Sequence, residues 1–157
     1  MGQTTITLSV NTSILKEESR NSGTGQPLYN NWASITQTGD GTSAPPPGGD
    51  AKNFISQVYK GDVITWNGVL NPSSVIPDGD PTPVINITQI ELSDTIPADT
   101  FGAPVPTILP DGRSSISMTA LKDFPAGLDA QSYTIHFVIS YKARFLDPKI
   151  KVVQPPR

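Results

Sequence analysis

Polar and apolar residues alternate along most of the segment from Gln131 to Tyr141. One face of this segment carries apolar or aromatic side chains, those of Tyr133, Ile135, Phe137, Ile139 and Tyr141. The other face carries Thr134, His136 and Ser140. A period of two over this length predicts a half-buried antiparallel β-strand, because helical spacing cannot reproduce it. A second, shorter strand is predicted from Asp147 to Val153.

The same alternation predicts further strands along the rest of the chain. They run from Thr4 to Val10, Phe54 to Tyr59, Val63 to Asn67, Val84 to Leu92 and Ser114 to Leu121. One short helical turn is predicted between Asn11 and Glu18, where Ser13 supplies a cap. About seven or eight strands and almost no helix predict an all-β fold, a single-domain antiparallel β-sandwich of immunoglobulin-like or Greek-key type over residues 1–157.

The apolar positions of these strands predict the core of the sandwich. We expect most of it to come from Ile6, Leu8, Val63, Trp66, Ile85, Ile87, Ile116, Ile135, Phe137, Ile139 and Ile150. Gly61 and Asp62 form a turn that sends the following strand, with Trp66, towards this core. The segment from Leu128 to Tyr133 is similar to the approach to a tyrosine corner, in which the tyrosine hydroxyl bonds to upstream backbone.

Two long segments lack this alternation. Asn21 to Asp50 reads as loop, with one apolar break from Trp32 to Ile35. Within it, a Pro/Gly-rich loop at about 39–50 holds three consecutive prolines between glycines, a composition that disfavours strand pairing. This loop is either a flexible insertion or a surface loop held by a partner. Ser93 to Gly112 contains four prolines and reads as an irregular crossing.

The amino-acid composition excludes some classes of binding partner and metal site. Charged residues make up 16% of the chain and the net charge is -3, so there is no basic field for nucleic acid or for an anionic membrane. There is no cysteine, which excludes a disulfide framework and thiolate metal sites. The N-terminus has no basic leader followed by an apolar stretch, so a cytoplasmic location is expected.

Motifs for catalysis are missing from the sequence. His136 is the only histidine, and one histidine without cysteine cannot form a blue-copper or zinc site within one chain. No Gly-x-Ser-x-Gly motif marks a nucleophile, and only three glutamates are available for paired-carboxylate chemistry. The sequence therefore predicts a protein that is not an enzyme and has no catalytic residues.

Two groups of residues are candidates for ligand binding. Asp78 and Asp80 flank Gly79, and close-spaced loop aspartates can bind calcium, although Asp-Gly is also an ordinary turn. Trp32 and Tyr29 lie in a polar stretch and are candidates for stacking on a sugar ring, unless they fix the loop to the body of the protein. Calcium is thus a possible ligand, and no other cofactor is predicted.

Three stretches, taken in order, resemble the PixA/AidA-type bacterial inclusion-body proteins. They are the opening strand with Val10 to Leu15, the segment Val58 to Trp66 with its Gly-Asp-Val-Ile-Thr-Trp, and the closing pair Tyr133 to Tyr141 and Asp147 to Ile150. Asn11 stands where that family has Asp, and methionine is sparse. The resemblance implies a sandwich fold, a cytoplasmic location and no catalytic residues.

Two functions therefore follow as hypotheses. The first is a non-catalytic protein that self-associates into an ordered assembly or inclusion, a homo-oligomer in which two terminal strands at sheet edges pair with other copies. The second is a carbohydrate-binding lectin, calcium-dependent or not, with Asp78 and Asp80 as metal ligands and Trp32 or Tyr29 against the sugar.

Overall fold

The computed structural model of the chain describes residues 2–11, 33–39, 42–44, 54–76, 78–139 and 142–156. Within these residues there are eleven strands and no helix, and so none that is long and apolar enough to cross a membrane. The strands are β1 (Gln3–Val10), β2 (Ala33–Gly39), β3 (Thr42–Ala44), β4 (Ile55–Tyr59), β5 (Val63–Leu70), β6 (Ile85–Leu92), β7 (Val105–Ile108), β8 (Ser114–Thr119), β9 (Gln131–Ile139), β10 (Lys142–Leu146) and β11 (Lys149–Val153).

These strands form two sheets. Sheet 1 has five strands in the order β2-β1-β5-β8-β7. Sheet 2 has six, in the order β10-β9-β11-β4-β3, with β6 paired to β9. The all-β class is as predicted, but both sheets are mixed, because β1 runs parallel to β5 and β4 runs parallel to β11. The prediction of a wholly antiparallel sandwich is therefore wrong, and the immunoglobulin-like order is not confirmed.

The strands supply one hydrophobic cluster to which both sheets contribute. Ile6 and Trp66 of sheet 1 and Phe137 and Ile150 of sheet 2 are each 1% exposed or less. Ten of the eleven predicted core residues lie in this cluster, and Val63 is the exception. Val63 and Trp66 are three residues apart in one strand, so they lie on opposite faces, and Ile64 is buried instead.

Strand β6 contains a β-bulge that changes which residues share a face. Alternation predicts Ile90 on the face opposite Ile85 and Ile87. The pairing of β6 with β9 shifts between Ile87 and Gln89, so Thr88 is an extra residue. One extra residue reverses the alternation, and Ile90 joins Ile85 and Ile87 in the core.

Four strands lie where the sequence predicts loop or no element. Ala33 to Gly39 forms β2, within the stretch from Asn21 to Asp50 that reads as loop. Thr42 to Ala44 forms β3 and pairs with β4, so the expectation that the Pro/Gly-rich loop cannot hold a ladder is wrong at these residues. Val105 to Ile108 forms β7 within the predicted irregular crossing, and β10 lies where no element is predicted. The helical turn between Asn11 and Glu18 lies almost wholly outside the described residues.

Candidate functional site

The turn between β4 and β5 connects the two sheets at one end of the molecule. Gly61 adopts a φ of 96°, in the left-handed region that favours glycine. The Gly61 N–H donates to the Ala120 carbonyl (2.7 Å), and the Ala120 N–H donates to the Asp62 carbonyl (2.9 Å). The Lys60 N–H donates to the Val153 carbonyl at the end of β11 (2.8 Å). This turn therefore ties sheet 1 to the last strand of sheet 2.

An open groove of about 720 Å³ lies against this turn. Its lining comes from the N-terminus, the turn, the end of β8 and the C-terminal prolines, namely Gly2, Tyr59, Lys60, Gly61, Asp62, Thr119, Ala120, Leu121, Pro155 and Pro156. The apolar side chains among these offer contact area, while Lys60, Asp62 and Tyr59 supply the ionisable groups of this lining.

Asp62 is a buried carboxyl group at this groove. It is 4% exposed, and its Oδ2 accepts a hydrogen bond from the Thr4 hydroxyl at 3.3 Å. Its backbone is also engaged, since the Asp62 N–H donates to the Tyr59 carbonyl at 3.0 Å. These bonds link the start of β1 to the turn. The sequence identifies Asp62 as a turn residue, but its burial depends on Thr4, which is 58 positions away.

Trp66 and Tyr133 form a polar contact inside the core. The Trp66 Nε1–H donates to the Tyr133 hydroxyl oxygen at 2.9 Å, and the two rings meet edge to face with centroids 5.8 Å apart. Burial raises the pKa of the Tyr133 hydroxyl, and the Trp66 donor opposes that shift. The predicted tyrosine corner is wrong in its partner, because the hydroxyl contacts an indole of the opposite sheet.

His136 lies on the polar face of β9, as its position in the alternation predicts. Its Nε2 is 2.7 Å from Glu91 Oε1 on the neighbouring β6. The Phe145 ring of β10 lies 6.3 Å away, centroid to centroid. Both side chains are partly exposed, so His136 and Glu91 form a hydrogen-bonded cross-strand pair at the surface.

The structure describes two of the four predicted ligand residues. Asp78 and Asp80 lie in an exposed turn between β5 and β6. Within the described ranges, no three His, Asp or Glu side chains are grouped as metal ligands would be. Trp32 and Tyr29 lie outside the described residues. Calcium and sugar binding at these positions stay predictions.

The positions of the terminal strands correct another expectation. Strand β1 lies between β2 and β5, and β11 lies between β9 and β4, so both are internal strands. Strand β1 is paired on both sides along nearly all of its length, whereas β11 pairs with β4 throughout and with β9 at Lys149 and Ile150. The outer strands of sheet 1 are β2 and β7.

Strand β7 exposes all four of its side chains, including Val105 and Ile108. The Leu109 N–H donates to the Arg113 carbonyl at 2.8 Å. In an antiparallel ladder, hydrogen-bonded and non-hydrogen-bonded residue pairs alternate. The backbone groups of Pro106 and Ile108 therefore point away from β8. Proline has no N–H. Pro106 therefore removes one of the donors that an added strand would need.

Comparison with known proteins shows a relation in fold. No protein-family model matches the chain, and no curated protein matches it in sequence. The crystal structure of the inclusion body protein PixA from Burkholderia cenocepacia J2315 is similar to this structure, with a TM-score of 0.63. The likeness covers 97% of this chain and 94% of that chain at 11% sequence identity. The two proteins therefore share a fold.

Proposed function

We propose that this chain is a non-catalytic protein that associates with copies of itself into an ordered assembly or inclusion. The observation that carries the proposal is the similarity in fold to an inclusion body protein over nearly the whole length of both chains. The three short sequence stretches that resemble the PixA/AidA-type proteins point to the same family.

The contacts of the polar groups support a structural role for them. Asp62 accepts from Thr4, His136 pairs with Glu91, and Arg113 pairs with Asp111 through Nε and Oδ2 at 2.6 Å. The first two contacts join segments that are distant in sequence, and the third lies within the turn before β8. Such pairs stabilise or orient strands and turns, and none of them activates a nucleophile.

Strand addition is disfavoured at three of the strands. Strands β1 and β11 are internal in their sheets, and the outward edge of β7 contains Pro106. The proposed assembly would use the faces of the sheets, where side chains are presented in rows.

Sedimentation velocity and static light scattering over a concentration series test the proposal. We expect the weight-average mass to rise well above the monomer value of 16.7 kDa as the concentration increases. The rise should reverse on dilution, because ordered association is an equilibrium and aggregation of unfolded chains is not. A constant monomer mass up to millimolar concentration would refute the proposal.

A further inference from the structure

The outer face of sheet 1 is uncharged and rich in hydroxyl groups. We call the outward-pointing residues of its five strands the hydroxyl face. They are Gln3, Thr5, Thr7, Ser9, Ser34, Thr36, Thr38, Val63, Thr65, Asn67, Val69, Val105, Thr107, Ser117 and Thr119. Ser115 lies on the same side of β8 but is buried. Most are threonine or serine, and none carries a charge. Exposed strand faces ordinarily use charged residues to remain soluble and separate.

The strand registers place these hydroxyl groups in rows across the sheet. Thr5 pairs with Thr38 on one side and with Thr65 on the other, and Thr65 pairs with Ser117. The Thr65 and Ser117 hydroxyl oxygens are 2.8 Å apart. A neighbouring row contains Thr36 and Thr7. Within each row, residues on neighbouring strands are about 4.8 Å apart.

The outer face of sheet 2 differs in charge. Lys149 and Lys151 point outward from β11, and Glu91 of β6 is hydrogen-bonded to His136 of β9. A lysine pair on each copy would repel the same pair on a second copy. The hydroxyl face has no such charge. Arg113, just before β8, is already paired with Asp111.

We propose that the hydroxyl face is the surface through which one copy of this chain binds a second copy. A hydroxyl group both donates and accepts hydrogen bonds, so a face made of hydroxyl groups is complementary to itself. Sheets have a right-handed twist, and two sheets of equal twist pack face to face at about -30°. A flat crystalline ligand such as ice or cellulose fits a twisted face less well.

The size of the face fits a weak, repeated contact. Five strands about 4.8 Å apart and about six residues long cover roughly 500 Å² on each copy, or roughly 1,000 Å² in a pair. Specific interfaces begin near that total. A single contact of this size is weak, but repeated contacts in an assembly add through avidity.

This inference rests on the proposed function, since it names the surface that self-association would use. The test compares Thr36→Lys with Thr88→Lys by sedimentation velocity. Thr36 is exposed on the hydroxyl face, whereas Thr88 is exposed on β6 of sheet 2, so each variant adds the same charge to one sheet. Thr36→Ser keeps the hydroxyl group and serves as the conservative control. Circular dichroism and thermal melting confirm that each variant is folded.

We expect Thr36→Lys to weaken self-association at least tenfold, while Thr88→Lys and Thr36→Ser remain within about threefold of the wild type. If the wild type assembles and Thr36→Lys assembles equally well, the inference is overturned and the proposed function stands. Equal weakening by both lysine variants also overturns it, because the effect then follows net charge and not the face. If the wild type stays monomeric at every concentration, the proposed function and the inference fail together.

Discussion

Replacing Tyr133 with phenylalanine tests the hydrogen bond that joins the two sheets inside the core. The hydroxyl oxygen accepts from Trp66 Nε1 at 2.9 Å, and both side chains are 1% exposed. Tyr133→Phe keeps the ring and its edge-to-face contact with the indole, because only the oxygen is removed. The change therefore isolates one polar contact from the packing around it.

The expected loss of stability follows from the group that remains. In Tyr133→Phe the Trp66 N–H stays buried without an acceptor, and an unsatisfied buried donor costs about 1–3 kcal/mol. For a chain of this length each kcal/mol lowers the melting temperature by roughly 2–4 °C. We expect the free energy of unfolding to fall by about 2 kcal/mol, which corresponds to roughly 4–8 °C.

Urea unfolding followed by tryptophan fluorescence and circular dichroism measures this loss. Tyr59→Phe is the matched control, because Tyr59 is partly exposed on the outward side of β4, and its change should stay within about 0.5 kcal/mol. Trp66→Phe and the double variant complete a mutant cycle. If the bond exists, the double variant loses less than the sum of the single losses, by about 1 kcal/mol.

Two results would refute this reasoning. One is a Tyr133→Phe variant as stable as the wild type, which would mean that the indole N–H has another acceptor or meets water. The other is strict additivity in the cycle. Trp66 and Tyr133 would then stabilise the core only by packing, and the two sheets would have no polar connection at this point.

Three further outcomes are expected. Burial raises the pKa of Tyr133, so the folded state keeps a proton that the unfolded state loses above about pH 10. The free energy of unfolding should therefore fall as the pH rises past about 10. Urea unfolding at about pH 8 and about pH 11 should show a smaller fall for Tyr133→Phe than for the wild type. Gly68→Ala should lower the free energy of unfolding by about 1–3 kcal/mol in the same assay, because the new Cβ would lie 2.8 Å from Ile85 Cβ. An unchanged stability would contradict that close approach. If Asp78 and Asp80 bind calcium, millimolar calcium should raise the melting temperature of the wild type by mass action and leave that of the Asp78→Asn/Asp80→Asn variant unchanged. A wild-type melting temperature that is equal with and without calcium would exclude the calcium site. A glycan array with and without calcium tests the lectin alternative.

Alternation predicts the long buried strands because local pattern and burial agree there. β1, β8 and β9 lie close to the predicted ranges, and all their apolar residues except Val138 face the core. β7 is not predicted from the sequence, because its side chains are all exposed and show no alternation of polar and apolar residues. β3 is not predicted either, because its composition is that of a loop and it forms a strand only by pairing with β4.

The candidate surface could be predicted only in part. Threonines at alternate positions of β1 and β2 are visible in the sequence, but only the pairing of Thr5 with Thr38 and Thr65 shows that they form rows. The groove at the turn could not be predicted. Its lining brings together the two ends of the chain, the turn and the end of β8, which are distant in sequence.

By itself, the sequence determined the fold class and the faces of most strands, because side chains in a strand alternate and apolar ones are excluded from water. The tertiary structure alone decided the partners of each strand. Two parallel pairings made β1 and β11 internal, a bulge at Thr88 turned Ile90 inward, and Trp66 met Tyr133 across the core. These features depend on contacts between distant segments, whose energies appear only when the two sheets pack against each other.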